Sequence, residues 1–129
     1  MAIIIKTRRE IAIMREAGRI TAMALEAMRQ AIHPGITTAE LDAIAEDVIR
    51  SHNAVPAFLG YPNPQYANRP YPATITASIN DELVHGIPGR RALKEGDIVS
   101  LDCGCIYKGF VGDAALTVGV GKISKEAAR

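Results

Sequence analysis

The 129-residue chain has almost no excess of charge, only two cysteines and no hydrophobic run of membrane length. Its net charge of +1 removes the electrostatic case for nucleic acid, which rests on a basic patch, and gives no attraction to an anionic membrane. No window approaches the ~18 apolar residues of a membrane span. The start, MAIIIKTRRE, sets a short apolar run ahead of its charges, the reverse of a secretory signal, and none is expected. Cys103 and Cys105 are too close on one strand for a relaxed bridge, so a reducing, cytosolic compartment is expected. Low-complexity segments and internal repeats are absent too. What remains is a globular composition, 48% apolar, over residues 1–129 as a single domain. A chain of this size buries roughly two-thirds of the surface it exposes unfolded, enough for a real core.

Helical periodicity fills the first part of the chain. Thr7 and Glu10 have capping-box spacing, and Ile11, Met14, Ala17, Ala24, Leu25, Met28 and Ile32 recur on one face, with Thr21 as its single polar member. This predicts a helix from Thr7 to Ile32, stopped by His33-Pro34-Gly35. A second helix is predicted from Thr37 or Thr38 to Ser51, with Thr37 and Glu40 as its capping box and Leu41, Ile44, Ala45, Val48 and Ile49 as its stripe. Residues 60–72, with four prolines and three tyrosines, read as a long loop. Beyond it the period shortens to that of strands: Ala73–Ser78, Leu83–Ile87, then Ile98–Ile106 and Phe110–Val120 around a turn at Tyr107-Lys108-Gly109, with a polar turn at Gly89–Gly96. Helices followed by an antiparallel meander make an α+β layer fold.

The most informative pair is Asp102 and Asp113, each inside a run that otherwise reads as buried strand. If the turn centres near Tyr107 and Lys108, the two lie opposite one another or one step away. Parity then puts Ile98, Ser100 and Gly104 with Asp102, and Ala115 and Thr117 with Asp113, on a small, partly polar face. Val99, Leu101, Cys103, Cys105, Ala114, Leu116 and Val118 fall on the other, which needs a core. Like charges facing each other across a sheet repel, and a divalent cation or a pair of them relieves the repulsion. A solvated hairpin face would carry the same pair, and two ligands do not complete a hydrolytic metal site.

His85, in Leu83-Val84-His85-Gly86-Ile87-Pro88, could donate to a substrate carbonyl or carry a proton; it could equally be a satisfied strand histidine. Cys103 and Cys105 lack the second pair that makes a thiolate metal site and read as core thiols. His33 and His52 sit at helix ends, where a histidine interacts with the last carbonyls.

At this point the residues resemble a family. Ser78-Ile79-Asn80-Asp81-Glu82-Leu83-Val84-His85-Gly86-Ile87-Pro88, Gly96-Asp97-Ile98-Val99-Ser100-Leu101-Asp102 and Gly109-Phe110-Val111-Gly112-Asp113 are similar to segments of type I methionine aminopeptidases, as are Phe58-Leu59-Gly60-Tyr61 and Tyr71-Pro72-Ala73. The likeness runs from about Ile5 to the end of the chain. It implies half of a pita-bread fold, two helices packed on a curved antiparallel sheet. It also implies a metallo-exopeptidase that removes the initiator methionine from new chains when the next residue is small. Asp102 would bind one metal and Asp113 would bridge both. His85 would contact the scissile peptide and assist proton transfer. Phe58, Tyr61, Tyr71 and Thr76 would lie at the methionine pocket. The nucleophile would be water activated by two divalent ions, with Co, Mn, Fe and Zn all compatible with such ligands.

The same likeness implies departures. Extra residues lie between Tyr61 and Tyr71, within PNPQYANRP. The family's later histidine and two glutamate ligands have no counterpart before Arg129, so the chain reads as a truncated half carrying two of five metal ligands. The expected partners are a peptide or nascent-chain N-terminus, and either a second copy forming a homodimer or a complementing C-terminal half. A non-catalytic half-domain that self-associates is the alternative function. The isolated chain is expected to be weakly active or inactive.

Overall fold

The computed structural model describes residues 7–60, 70–80 and 86–122. Two helices come first, α1 at Arg8–Ala31 and α2 at Thr38–Ser51. Both start by the expected chemistry. Thr7 accepts from the Glu10 amide while Glu10 accepts from the Thr7 amide, and Thr37 and Glu40 repeat the arrangement. Each box satisfies two helix-start amides that have no partner within the helix. Ile32 leaves α1 in extended backbone, and Pro34 disfavours helical geometry at the residue before it, His33. At the end of α2, His52 Nδ1 lies 2.8 Å from the Val48 carbonyl oxygen.

Four strands form one antiparallel sheet around a central strand. β1 is Val55–Pro56, β2 Ile75–Ile79, β3 Ile98–Tyr107 and β4 Phe110–Gly119. β4 runs along the whole of β3, from Tyr107 opposite Phe110 to Ile98 opposite Gly119. The other edge of β3 is shared by β2, which pairs Ile75 with Cys103 through Ile79 with Val99, and β1, which continues the edge opposite Ile106 and Cys105. β2, β3 and β4 make the predicted meander. β1 is an addition, too short at two residues to show a period.

The helices cover one face of this sheet. Val99, Leu101, Cys103 and Cys105 are fully buried there against Ala17, Ile20 and Met28 of α1 and Leu41, Ala45 and Ile49 of α2. Ile11 and Met14 belong to the predicted stripe of α1 but stay 40% and 37% exposed, so the stripe is longer than the surface the described residues offer it.

Three local readings change. The hairpin turn centres on Lys108 and Gly109, both at positive φ (48° and 85°), as a two-residue hairpin loop requires. β2 starts at Ile75 instead of Ala73, because the Thr74 and Ile75 amides both turn to a helix carboxylate. The polar segment 89–96 is anchored: Leu93 is buried and exchanges backbone hydrogen bonds with Gly35 and Ile36. The strand predicted at Leu83–Ile87 falls mostly outside the described residues; Gly86 accepts from the Ala77 amide on the outer side of β2.

Candidate metal site

Two glycines, on opposite faces of the β3–β4 hairpin, shape the site. Gly112 is buried against α1. A Cβ there would sit 2.6 Å from the carbonyl carbon and oxygen of Ala17 and 2.8 Å from the Gly18 nitrogen, so only glycine lets the helix approach this closely. Thr21 completes the contact, with its Oγ1 3.1 Å from both the Ala17 and Gly112 carbonyl oxygens, and the Cys105 thiol donates to Ala17 O at 3.3 Å. This explains the one polar residue on the apolar face of α1. The next residue after Gly112 is Asp113, which alternation turns to the opposite, exposed face.

Asp102 lies on that same face but not directly across. It pairs with Ala115, and Asp113 pairs with Gly104, so the carboxylates are diagonal neighbours, offset by two residues. Diagonal positions lie about 7–8 Å apart at the backbone, a span two aspartate side chains can close on an ion or an ion pair. Gly104 stands between them. A Cβ there would be 3.1 Å from Gly112 O and 3.3 Å from both the Asp113 Cβ and Phe58 Cε1. The bare strand therefore lets the Phe58 ring lie beside Asp113. Ala57 is tied to the same spot, its amide donating to Gly104 O at 3.0 Å.

Around Asp102 the face is polar and small. Thr76, its partner on β2, donates Oγ1 to Asp102 Oδ2 at 3.1 Å. One row further, the Ser100 and Thr117 hydroxyls meet at 3.1 Å. Oxygen donors on a face without bulky side chains suit a hard or borderline divalent cation. Among the described residues no group of three or more His, Cys, Asp or Glu side chains gathers, so these two carboxylates fit a metal but do not complete its shell.

The outer edge of β2 is held by side chains. Asp42 of α2 accepts at Oδ1 from the Thr74 amide (2.8 Å) and the Ile75 amide (2.9 Å). Tyr71 is buried and donates its hydroxyl to Ile75 O at 2.7 Å. Burial pushes the Asp42 carboxyl above its ordinary pKa, against the lowering effect of the two amides. Burial likewise raises the Cys103 thiol to about 12, helped by the neighbouring Cys105, Asp42 and Asp102.

Of the residues expected at the site, Phe58, Thr76, Asp102 and Asp113 come together on one face, and Tyr71 lies on the far edge of β2. His85 and Tyr61 lie outside the described residues. Sequence reading set Gly104 on the face of Asp102 but gave no part to Asp42 or to the helix contact of Gly112. The glycines have no side-chain signal, and Asp42 looks like any acidic residue on a helix.

Residues 12–129 match metallopeptidase family M24. The methionine aminopeptidase of Clostridium acetobutylicum is 50% identical over 128 residues, 98% of this chain and 48% of that protein. The solved methionine aminopeptidase of Rickettsia prowazekii superposes with a TM-score of 0.88 at 35% identity, over 99% of this chain and 49% of that one. The prolidase of Pyrococcus furiosus gives a lower TM-score of 0.76 at 26% identity, over 95% and 33%. The chain spans about half the length of the curated relatives it matches.

Proposed function

The chain belongs to metallopeptidase family M24, and from that premise we propose that it carries the amino-terminal half of a methionine aminopeptidase site. The reaction is hydrolysis of the first peptide bond of chains that begin with methionine followed by a small residue. The observation that carries the reading is the convergence of Asp102 and Asp113 on one face beside Gly104, within a half-length match to enzymes of that name.

Bound there, divalent ions would supply Lewis acidity and activate water for attack on the peptide carbonyl. Asp102 and Asp113 are the proposed ligands. Asp102 would hold one ion and Asp113 would be shared between two, and their oxygen donors suit Co, Mn, Fe or Zn. Thr76 supports the Asp102 carboxylate through its hydroxyl, as ligating carboxylates are commonly hydrogen-bonded in turn. His85 is assigned proton transfer at the scissile peptide. Its chain neighbour Gly86 donates to Ser78 Oγ at 3.4 Å, next to the candidate face. Phe58 forms a wall beside Asp113, and Tyr71 is assigned to the methionine pocket together with Tyr61, which lies outside the described residues. The Tyr71 hydroxyl is engaged with Ile75 O, so its part in that pocket belongs to the ring. An apolar thioether suits an aromatic wall.

Two partners follow, an N-terminal methionyl peptide and a complementing C-terminal half that supplies the remaining ligands. The free, buried cysteines suit a reducing cytosolic setting, and no described helix is long and apolar enough to cross a membrane. The self-associating, non-catalytic half-domain has no observation of its own in its favour.

The test is a chimera joining this chain to the second half of the Clostridium acetobutylicum enzyme, assayed on a Met-Ala-Ser peptide. Turnover is expected with divalent metal and is lost on Asp102→Asn or Asp113→Asn. Robust turnover by the isolated monomer, or by the chimera carrying both substitutions, contradicts the reading.

A further inference from the structure

The start of β2 is fixed by groups outside the sheet. Asp42 takes the amides of two successive residues, Thr74 and Ile75, on one oxygen, and Tyr71 takes the Ile75 carbonyl. Both backbone groups of Ile75 are thereby held. The next residue is Thr76, whose side chain faces away from the helices and donates to Asp102. An edge amide needs only water as an acceptor. Here the acceptor is a half-buried carboxylate, and partly desolvating a charge is costly unless its hydrogen bonds offset the loss. A fixed acceptor shared by consecutive amides does what water does not: it sets the backbone direction at 74 and 75, and with it the aim of the Thr76 hydroxyl.

We propose that Asp42 is a positioning residue for the metal site. Acting through residues 74–76, it holds Thr76 Oγ1 on Asp102 and so orients that carboxylate toward the ion it shares with Asp113. The inference rests on the metal site proposed above. It assigns a role in ion binding to a helix residue on the core side of the sheet, reached through one strand residue.

The experiment is Mn²⁺ binding by the 129-residue chain, read by the loss of the free-ion electron paramagnetic resonance signal, with the melting temperature of each variant measured in parallel. Partners that orient ligating groups change metal affinity by about 10–100-fold when removed; one step further out, Asp42→Ala is expected to weaken Mn²⁺ binding about 3–10-fold. Asp42→Asn keeps an oxygen in place for the two amides and is expected to stay within about twofold of the parent. Thr76→Val, which removes the hydroxyl itself, is expected to weaken binding about 10–100-fold, and the double variant no more than Thr76→Val alone, since both act through one hydroxyl. An anchor that only stabilises the fold would lower the melting temperature of Asp42→Ala and leave Mn²⁺ affinity unchanged. That result overturns the proposal, as does additivity of the two losses. Should Asp42→Ala not fold, Asp42→Asn and Thr76→Val decide: unchanged binding in Thr76→Val, or a loss in Asp42→Asn as large as in Thr76→Val, overturns it. Binding by the parent that Asp102→Asn leaves intact refutes the metal site itself, and this role with it; binding lost in Asp102→Asn but indifferent to Asp42 and Thr76 refutes this role alone.

Discussion

Gly112 and Ala17 meet backbone to backbone: a Cβ at 112 would lie 2.6 Å from the Ala17 carbonyl. Gly112→Ala is therefore expected to push α1 off the hairpin and destabilise the chain by about 1–3 kcal/mol, the usual cost of overpacking a filled contact. Urea unfolding measures it. Gly109→Ala is the useful contrast. It has open space around its Cβ but a φ of 85°, so its cost is conformational only. Wild-type stability in Gly112→Ala would show that the helix contact is looser than described.

How far the sequence could be read is clearest at the hairpin. Parity alone placed Asp102 and Asp113 on one face with Gly104 and Thr117, because alternation is a property of each strand. Their register was not legible, because it depends on the turn. A turn centred on Tyr107 and Lys108 sets Asp102 opposite Asp113, whereas moving the centre to Lys108 and Gly109 shifts the partner by two residues, to Ala115. Lys108 hid this by adopting a left-handed φ of 48°, where glycine or asparagine would have announced the turn. Both helix starts were legible because a capping box is local chemistry. Asp42 was not, because its partners lie 32 and 33 residues away and only the fold brings them together.

Asp97 gives the stability a pH dependence of known sign. Its carboxylate accepts from the Lys94 amide at 2.9 Å and the Asn80 side chain at 3.0 Å, and these bonds hold its pKa below the ordinary 3.8. A depressed folded pKa contributes stability above the unfolded value, and that contribution is lost as pH falls through the folded value. Wild type is expected to be more stable than Asp97→Asn at neutral pH, with the gap narrowing below pH 3.8. Melting curves from pH 7 to 2.5 check it. A gap that widens in acid contradicts the assignment.

Cys103 should be inert while the chain is folded. It is fully buried and its thiol is pushed up to about 12, so almost no thiolate, the reactive form, is present at pH 8. A disulfide reagent at that pH is expected to label Cys103 only as fast as the chain opens, and rapidly in urea. Fast labelling of native protein, located to Cys103 by peptide mapping, contradicts this.

Among the described residues β4 pairs only with β3, and an open edge seeks pairing. Val111, on that strand, is 59% exposed. A separately expressed C-terminal half of a methionine aminopeptidase is expected to bind this chain, with affinity that falls when EDTA removes the metal both halves would share. Light scattering with and without EDTA reads complex and homodimer alike. A chain that stays monomeric at high concentration, indifferent to both metal and the added half, contradicts it.

The central claim is that Asp102 and Asp113 hold a divalent ion between them. Calorimetric titration of the chain with Mn²⁺ tests it most directly. With only these two carboxylates gathered at the site among the described residues, binding is expected to be weak, and it should be lost in Asp102→Asn and in Asp113→Asn while both variants stay folded. Tight binding that survives both substitutions would place the ion elsewhere and contradict the account.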